Sequence, residues 1–330
     1  MGALQLVFAG GDYDRTRALQ DGTIRPEGID LTYVPLVPEE IFWRMLQYQD
    51  FDVSELSMSA YITWTARGDC PFVAIPAFLS RTFRHGCIFI NANAGIREPA
   101  DLRGRRIGVP DYHMTAALWI RGMLEHEYGV RAADVEWFQG GLQEPGRKER
   151  VEYHLPPEIR LTVIPQDQTL DALLVAGEID AVFTARMPPS FHHGDPRVTR
   201  LFPDYKSAER AYFAKTGLFP IMHCVAIRRP IYEAHPWIAP NLMKALDESK
   251  RRAQELAYDF NALRYTLPWL IPDLEETMRV MGADPWPYGV TPNRPALEAM
   301  CAYAQEQGLT ARRVAVEELF APNTAEMFRV

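Results

Sequence analysis

The sequence predicts an α/β protein of two lobes with a cleft between them. Three observations carry this expectation: short apolar runs alternate with stretches of helical period, the alternation restarts near residue 106, and a strong apolar run at Ile221 to Ile227 reads as a strand returning to the first unit. At 330 residues the chain also exceeds one ordinary compact domain. The expected divisions are 1–105 as the first part of lobe 1, 106–215 as lobe 2, and 216–330 as the return strand and C-terminal helices of lobe 1.

Leu4 to Ala9 is a short apolar run closed by Gly10-Gly11, and Tyr13 to Leu19 follows as a short helix, giving one strand-turn-helix step. Ile29 to Val34 supplies a second strand. Pro38 opens a helix whose Ile41, Phe42, Met45 and Leu46 share a face. Phe51 to Val53 is a strand leading through Glu55-Leu56-Ser57-Met58-Ser59 into a helix at Ala60 to Trp64, and Phe72 to Leu79 and Ile88 to Asn91 are further strands.

The second unit begins with a strand at Ile107 to Val109 and a helix from Thr115 to Tyr128 closed by Gly129. Strands at Val135 to Phe138, Leu161 to Ile164 and Ile179 to Thr184 follow, with a helix at Leu170 to Ala176 ended by Gly177. Gly140 to Pro157 lacks period and is expected to be a long surface excursion that folds over the cleft. Helical spacing returns between Asn241 and Phe260 and again from Ala296 to Gln307, the latter bracketed by Pro295 and Gly308. The sheets are therefore expected to be mixed and mostly parallel, with flanking helices.

Hydrophobic residues at 47% and charged residues at 24% are those of a globular protein, not of a disordered chain. A net charge of -8 argues against nucleic acid as a partner, although local arginines can still make a cleft positive. No apolar stretch approaches the ~20 residues that span a bilayer, so no membrane insertion is expected. Cys70, Cys87, Cys224 and Cys301 are scattered without CxxC spacing and read as reduced core thiols. With no secretory signal in the sequence, a cytoplasmic location is expected.

In open α/β sheets ligands collect at strand C-termini, where following helices offer unpaired N–H groups. That rule nominates the loops at Gly10 to Arg15, Glu55 to Ser59, Arg81 to His85, Asp111 to Thr115, Thr184 to Arg186 and around His223. Walker A and GxGxxG loops are missing, so no nucleotide cofactor is expected; HExxH and paired-Cys motifs are missing and His192-His193 read as surface histidines, so no metal site is expected; and without a GxSxG elbow covalent hydrolase chemistry is disfavoured. Arg81 and Arg84 flank Phe83 after a buried strand and are candidate carboxylate clamps, against a reading as surface ion pairs. Arg186 is the counterpart from the second unit, and a hinge ion pair is its alternative.

His85 and His223 lie beside strand-like runs and could each donate a proton near neutral pH, or be hydrogen-bonded core histidines. Tyr112-His113-Met114-Thr115 could hold an anion at a helix start, with helix capping as the alternative for Thr115, Ser57, Ser59 and Asp12. Arg15 closes the first nominated loop.

GDYDR at Gly11 to Arg15, IGVPDYHMTAALWIRG at Ile107 to Gly122, PGRKE after Glu144, GEIDA at Gly177 to Ala181, TGLFPIMH at Thr216 to His223 and WPYGVTPNR at Trp286 to Arg294 together resemble the 4,5-dihydroxyphthalate decarboxylases, on the type 2 periplasmic-binding-protein fold. GEIDA and the DLRG turn are fold-specific only, whereas TGLFPIMH with WPYGVTPNR is narrower. The resemblance spans nearly the whole chain. It implies loss of CO2 from a small aromatic dicarboxylate with two adjacent hydroxyls, without an organic cofactor.

Such chemistry would use Arg81 and Arg186 as clamps, His85 or His223 as proton donor, and Ser57, Ser59, Thr115, Tyr112, His113, Asp12 and Arg15 as further substrate contacts. Arg81, Arg186, His85 and His223 are then expected to share one cavity. Two other readings stay open: a solute-binding protein for an aromatic acid, and a lyase or decarboxylase for another aromatic or heteroaromatic acid on the same scaffold. Apolar surface on the late helices would suit a homodimer.

Overall fold

The computed structural model describes residues 2–146 and 155–324. In chain order its strands are β1 (Leu4–Gly10), β2 (Ile29–Pro35), β3 (Val53–Ser57), β4 (Phe72–Arg81), β5 (Ile88–Asn91), β6 (Arg106–Val109), β7 (Glu136–Gln139), β8 (Arg160–Val163), β9 (Ala181–Phe183), β10 (Val198–Arg200) and β11 (Ile221–Arg228). They form two sheets, ordered β2-β1-β3-β11-β4 and β10-β5-β9-β6-β7-β8.

Both sheets are mixed. β1, β2 and β3 run parallel while β11 is antiparallel to β3 and β4. In the second sheet β6 to β9 pair in parallel and β5 is antiparallel to β9 and β10. Each sheet thus contains one inserted antiparallel strand next to a chain crossing.

The first crossing lies between Arg81 and Ile88, because β5 pairs in the second sheet. The sequence boundary at residue 105 places that crossing too late. Ile88-Phe89-Ile90 is an apolar run like its predecessor β4, and local pattern cannot say which sheet a strand joins; pairing does. The second crossing runs from β10 through a helix at Tyr205–Thr216 to β11. Part of the expected excursion over 140–157, including most of the PGRKE segment, falls at 147–154 and lies outside the described residues.

The helix Thr115–Tyr128 positions the cleft. Thr115 to Leu124 are all buried, and Gly129 ends the helix at φ +68. It packs on the helices Met58–Arg67 and Arg294–Glu306 and on β9, so it bridges both lobes. Trp119 within it donates from Nε1 to the Ile221 carbonyl of β11 at 2.8 Å. Across the cleft, the helix Pro38–Tyr48 starts at a proline, carries Glu39 and Glu40 in its first turn and buries Ile41, Phe42 and Met45.

The late helices Ile238–Ala257 and Arg294–Glu306 close the first lobe. A further helix, Leu270–Met281, carries Ile271, Leu274, Met278 and Met281 at helical spacing but buries only Ile271.

Candidate active site

A cleft of about 350 Å3 opens between the lobes. Its floor comes from β11 and the β3-to-helix turn, and its far wall from the start of the helix Thr115–Tyr128 and the segment Thr184 to Arg186.

His223 lies on the floor. Its strand β11 shows register irregularities against β4 on both sides of this residue, the kind of local bulge that re-aims a side chain. On the other edge His223 pairs with Ser57 and Val225 with Glu55, so Glu55 is its diagonal neighbour on the same face. His223 Nδ1 and Glu55 Oε1 are 2.6 Å apart.

Glu55 is wholly buried, and three donors hold it: His223, the Gly11 N–H at 2.9 Å from Oε2, and the Tyr13 hydroxyl at 2.9 Å from Oε1. Burial pushes its carboxyl up, but the charge and hydrogen bond of His223, then Gly11 and Tyr13, outweigh that and hold it below the ordinary carboxylate value. Glu55 therefore stays ionised. With a carboxylate accepting at Nδ1, the ring keeps its Nδ1–H and presents Nε2 to the cleft.

Three hydroxyls lie beside this pair. Ser57 Oγ is 2.9 Å from Thr115 Oγ1, Ser59 Oγ is 2.9 Å from the same atom, and the two serine oxygens are 3.2 Å apart. Ser59 also donates to the His113 carbonyl at 2.7 Å, and its own N–H donates to Thr115 Oγ1 at 3.2 Å. Neither helix start is capped by its own N-cap residue, Ser57 or Met114; instead Thr115 Oγ1 satisfies the Ser59 N–H in the first turn of the helix Met58–Arg67. Met114, Thr115 and Ala116 line the cleft, so the positive end of a 14-residue helix faces into it.

His113 lines the cleft too, with Nε2 2.8 Å from Thr63 Oγ1 and its backbone N–H on Asp111 Oδ1. Burial lowers its pKa to about 4, so it is a neutral hydrogen-bonding group and not a cation for a carboxylate.

The arginines are arranged differently from expectation. Arg81 does not line this cleft: its guanidinium donates to Asn293 Oδ1 at 2.7 Å, the Phe219 carbonyl at 2.7 Å and the Pro287 carbonyl at 3.3 Å, tying β4 to two loops. Arg84 takes its place. It is 8% exposed and lines the cleft, with only a 3.6 Å contact from Nη1 to Cys87 Sγ and no partner for Nε among the described residues. Arg186 lines the mouth, where it pairs across the lobes with Glu39 at 2.8 Å.

His85 is likewise outside the cleft. Its ring is buried between Phe202 and Tyr212, neither ring nitrogen has a partner among the described residues, and burial lowers its pKa to about 4. Tyr112 is fully buried, stacks 3.7 Å under the Arg121 guanidinium and donates to the Gln307 carbonyl. Asp12 pairs with Arg17 at 2.6 Å on the surface. Arg15 donates from Nε to the Leu79 carbonyl and sits between the Tyr13 and Trp286 rings, facing a different cavity. The expected quartet of Arg81, Arg186, His85 and His223 is thus not assembled; Arg186 and His223 share the cleft, joined by Arg84 and backed by Glu55.

Glu55 and Tyr13 had been assigned no role from sequence. A signal existed for the first: Glu55 is the one charge inside the strand Val53–Ser57, and a carboxylate in a buried strand needs a partner. Tyr13 carried none. His192 and His193 are exposed, and among the described residues no three His, Cys, Asp or Glu side chains converge as a metal site. All four cysteines are free.

Residues 18–144 match the NMT1/THI5-like family. The periplasmic aliphatic sulphonate-binding protein of Escherichia coli superposes with a TM-score of 0.53 at 13% identity, covering 100% of each chain. The alkanesulfonate-binding protein of Xanthomonas axonopodis gives 0.52 at 13% identity, covering 98% of each chain. These likenesses show a periplasmic-binding-protein fold and nothing of function. Sequence relatives say more. A 4,5-dihydroxyphthalate decarboxylase of Comamonas testosteroni is 41% identical over 330 residues, the whole of both chains, and one of Pseudomonas putida is 42% identical over 213 residues, 64% of this chain and 83% of that protein. The chain belongs to the 4,5-dihydroxyphthalate decarboxylase family.

Proposed function

We propose that the cleft converts 4,5-dihydroxyphthalate to 3,4-dihydroxybenzoate and CO2, with His223 as the proton donor. The observation that carries this reading is the His223–Glu55 pair on the floor of a cleft that also holds Arg84.

Arg84 engages one carboxylate through its unpartnered edge, and the dicarboxylate's second negative charge lies toward Arg186 or the helix N-terminus. Ser57 and Thr115 offer hydrogen bonds to the remaining polar groups. The hydroxyl para to the departing carboxylate donates electrons into the ring. Protonated His223 delivers its Nε2 proton to the ring carbon bearing that carboxylate, forming a C–H bond. The C–C bond to the carboxylate then breaks, CO2 leaves, and the bonding pair restores aromaticity. Glu55, a positioning residue, fixes the ring of His223 throughout. One proton is consumed per turnover and no redox change occurs.

Replacing His223 with Ala is expected to abolish CO2 release while leaving substrate binding, read by calorimetry, within about tenfold, or ~1.4 kcal/mol. Turnover that survives this change removes His223 from the mechanism. Stoichiometric binding by the unaltered protein without CO2 release would favour a solute-binding role.

Two further points belong to the same reading. Four free thiols, and no helix long and apolar enough to cross a membrane among the described residues, support action in the cytoplasm. Exposed Phe260, Leu263, Leu267 and Trp269 support a homodimer through the segment preceding the helix Leu270–Met281, a state that sedimentation would reveal.

A further inference from the structure

The segment between the two sheets has two sides. Arg84 faces the catalytic cleft, whereas Arg81, Thr82, Phe83, Gly86 and Cys87 face a second cavity of about 900 Å3. Phe219, from the other crossing, lines that cavity as well. Both chain crossings therefore form one wall, and the helices Ile238–Ala257 and Leu270–Met281 form the opposite one.

Its chemistry is that of an apolar chamber holding guanidinium groups. Phe83, Phe219, Met278, Met281 and Trp286 supply apolar surface. Arg81 is 5% exposed and has no carboxylate within ion-pair distance among the described residues; its hydrogen bonds go to two carbonyls and an amide. Two of its five N–H donors, Nε among them, have no partner among the described residues. Burying a cation without a counter-charge is costly. Arg200 also lines the chamber with no carboxylate at ion-pair distance among the described residues, donating from Nε to the Gly86 carbonyl. The acids there are engaged elsewhere: Asp14 pairs with Arg15, and Glu209 accepts from the Gly86 N–H.

We propose that this chamber is a second ligand site, for an organic carboxylate with an apolar body, whose carboxylate supplies the counter-charge that Arg81 lacks. Its occupant rests on both crossings, the segments about which the lobes of such a fold swing. The site is separate from the cleft and does not depend on which acid is decarboxylated there.

Decanoate is the probe, with decanol as its uncharged counterpart, and binding is followed by calorimetry on the full-length protein. Saturable binding of one decanoate per chain is expected, at least tenfold tighter than decanol. Ala257→Phe and Thr277→Phe, which put bulk into the chamber from its helical wall, should weaken decanoate at least tenfold while circular dichroism stays unchanged. Arg84→Ala should leave it within twofold. These two helix variants keep the test independent of Arg81, whose replacement could disturb folding. No saturable binding, or binding that the two Phe variants leave untouched and Arg84→Ala removes, overturns the proposal.

Discussion

Glu55 Oε1 lies 2.6 Å from His223 Nδ1, with the carboxylate wholly buried and the imidazole at the cleft floor. This contact joins a strand from the first 60 residues to one from beyond residue 220 and fixes which ring nitrogen a substrate meets.

Glu55→Gln keeps the shape of that contact and removes its charge. The expected result is a fall in kcat of roughly 10²- to 10⁴-fold with KM changed only a few-fold, since the ring loses the partner that holds its tautomer. Because the folded pKa of Glu55 lies below its unfolded value, its ionisation stabilises the fold above about pH 4.3, and that contribution is lost as pH falls through the folded value. Urea unfolding at pH 7 and pH 4 should therefore show a larger acid loss in the unaltered protein than in the variant.

Arg84 and Arg81 separate binding from stability. Arg84→Ala should raise KM by about 10- to 100-fold, the equivalent of ~1.5–3 kcal/mol for a charged hydrogen bond. Arg81→Lys should leave KM within twofold and lower unfolding free energy by about 1–3 kcal/mol, because its three hydrogen bonds tie β4 to the loops at Phe219 and Pro287. A KM raised by the Arg81 change alone would reverse this assignment.

Arg186 sits at the mouth, 60% exposed and paired with Glu39 of the opposite lobe. Exposed pairs contribute little, so Arg186→Ala should raise KM less than Arg84→Ala does, and by an amount that shrinks with added salt. Exchanging the two residues, Glu39→Arg with Arg186→Glu, should recover much of the lobe contact without recovering KM if the guanidinium itself meets substrate.

His85 is a buried imidazole with neither nitrogen satisfied among the described residues, its pKa lowered to about 4 by burial. A depressed histidine pKa means the unfolded chain binds the extra proton first. Stability then falls as pH drops from about 6.5 toward about 4, by up to ~1.4 kcal/mol per pH unit from this residue. His85→Phe should keep the edge contacts with Phe202 and Tyr212, leave turnover intact and flatten that acid loss in thermal melts between pH 7 and 5.

Composition, apolar period and end signals determined the α/β class, the paired units and the late return strand, because those follow from local alternation of exposed and buried positions. They also nominated loops from which Ser57, Thr115, Arg186 and His223 all reach one cleft. What the sequence could not supply was direction. Arg81 and Arg84 are three residues apart on one crossing, yet one turns into the second cavity and the other into the cleft. His85 and His223 look alike as polar residues beside apolar runs, and only packing buries one among aromatic rings while a bulge turns the other toward solvent-accessible space. Tertiary structure decided these cases because a side chain's partners come from strands and helices distant in sequence, here β3 for His223 and the loop at Asn293 for Arg81.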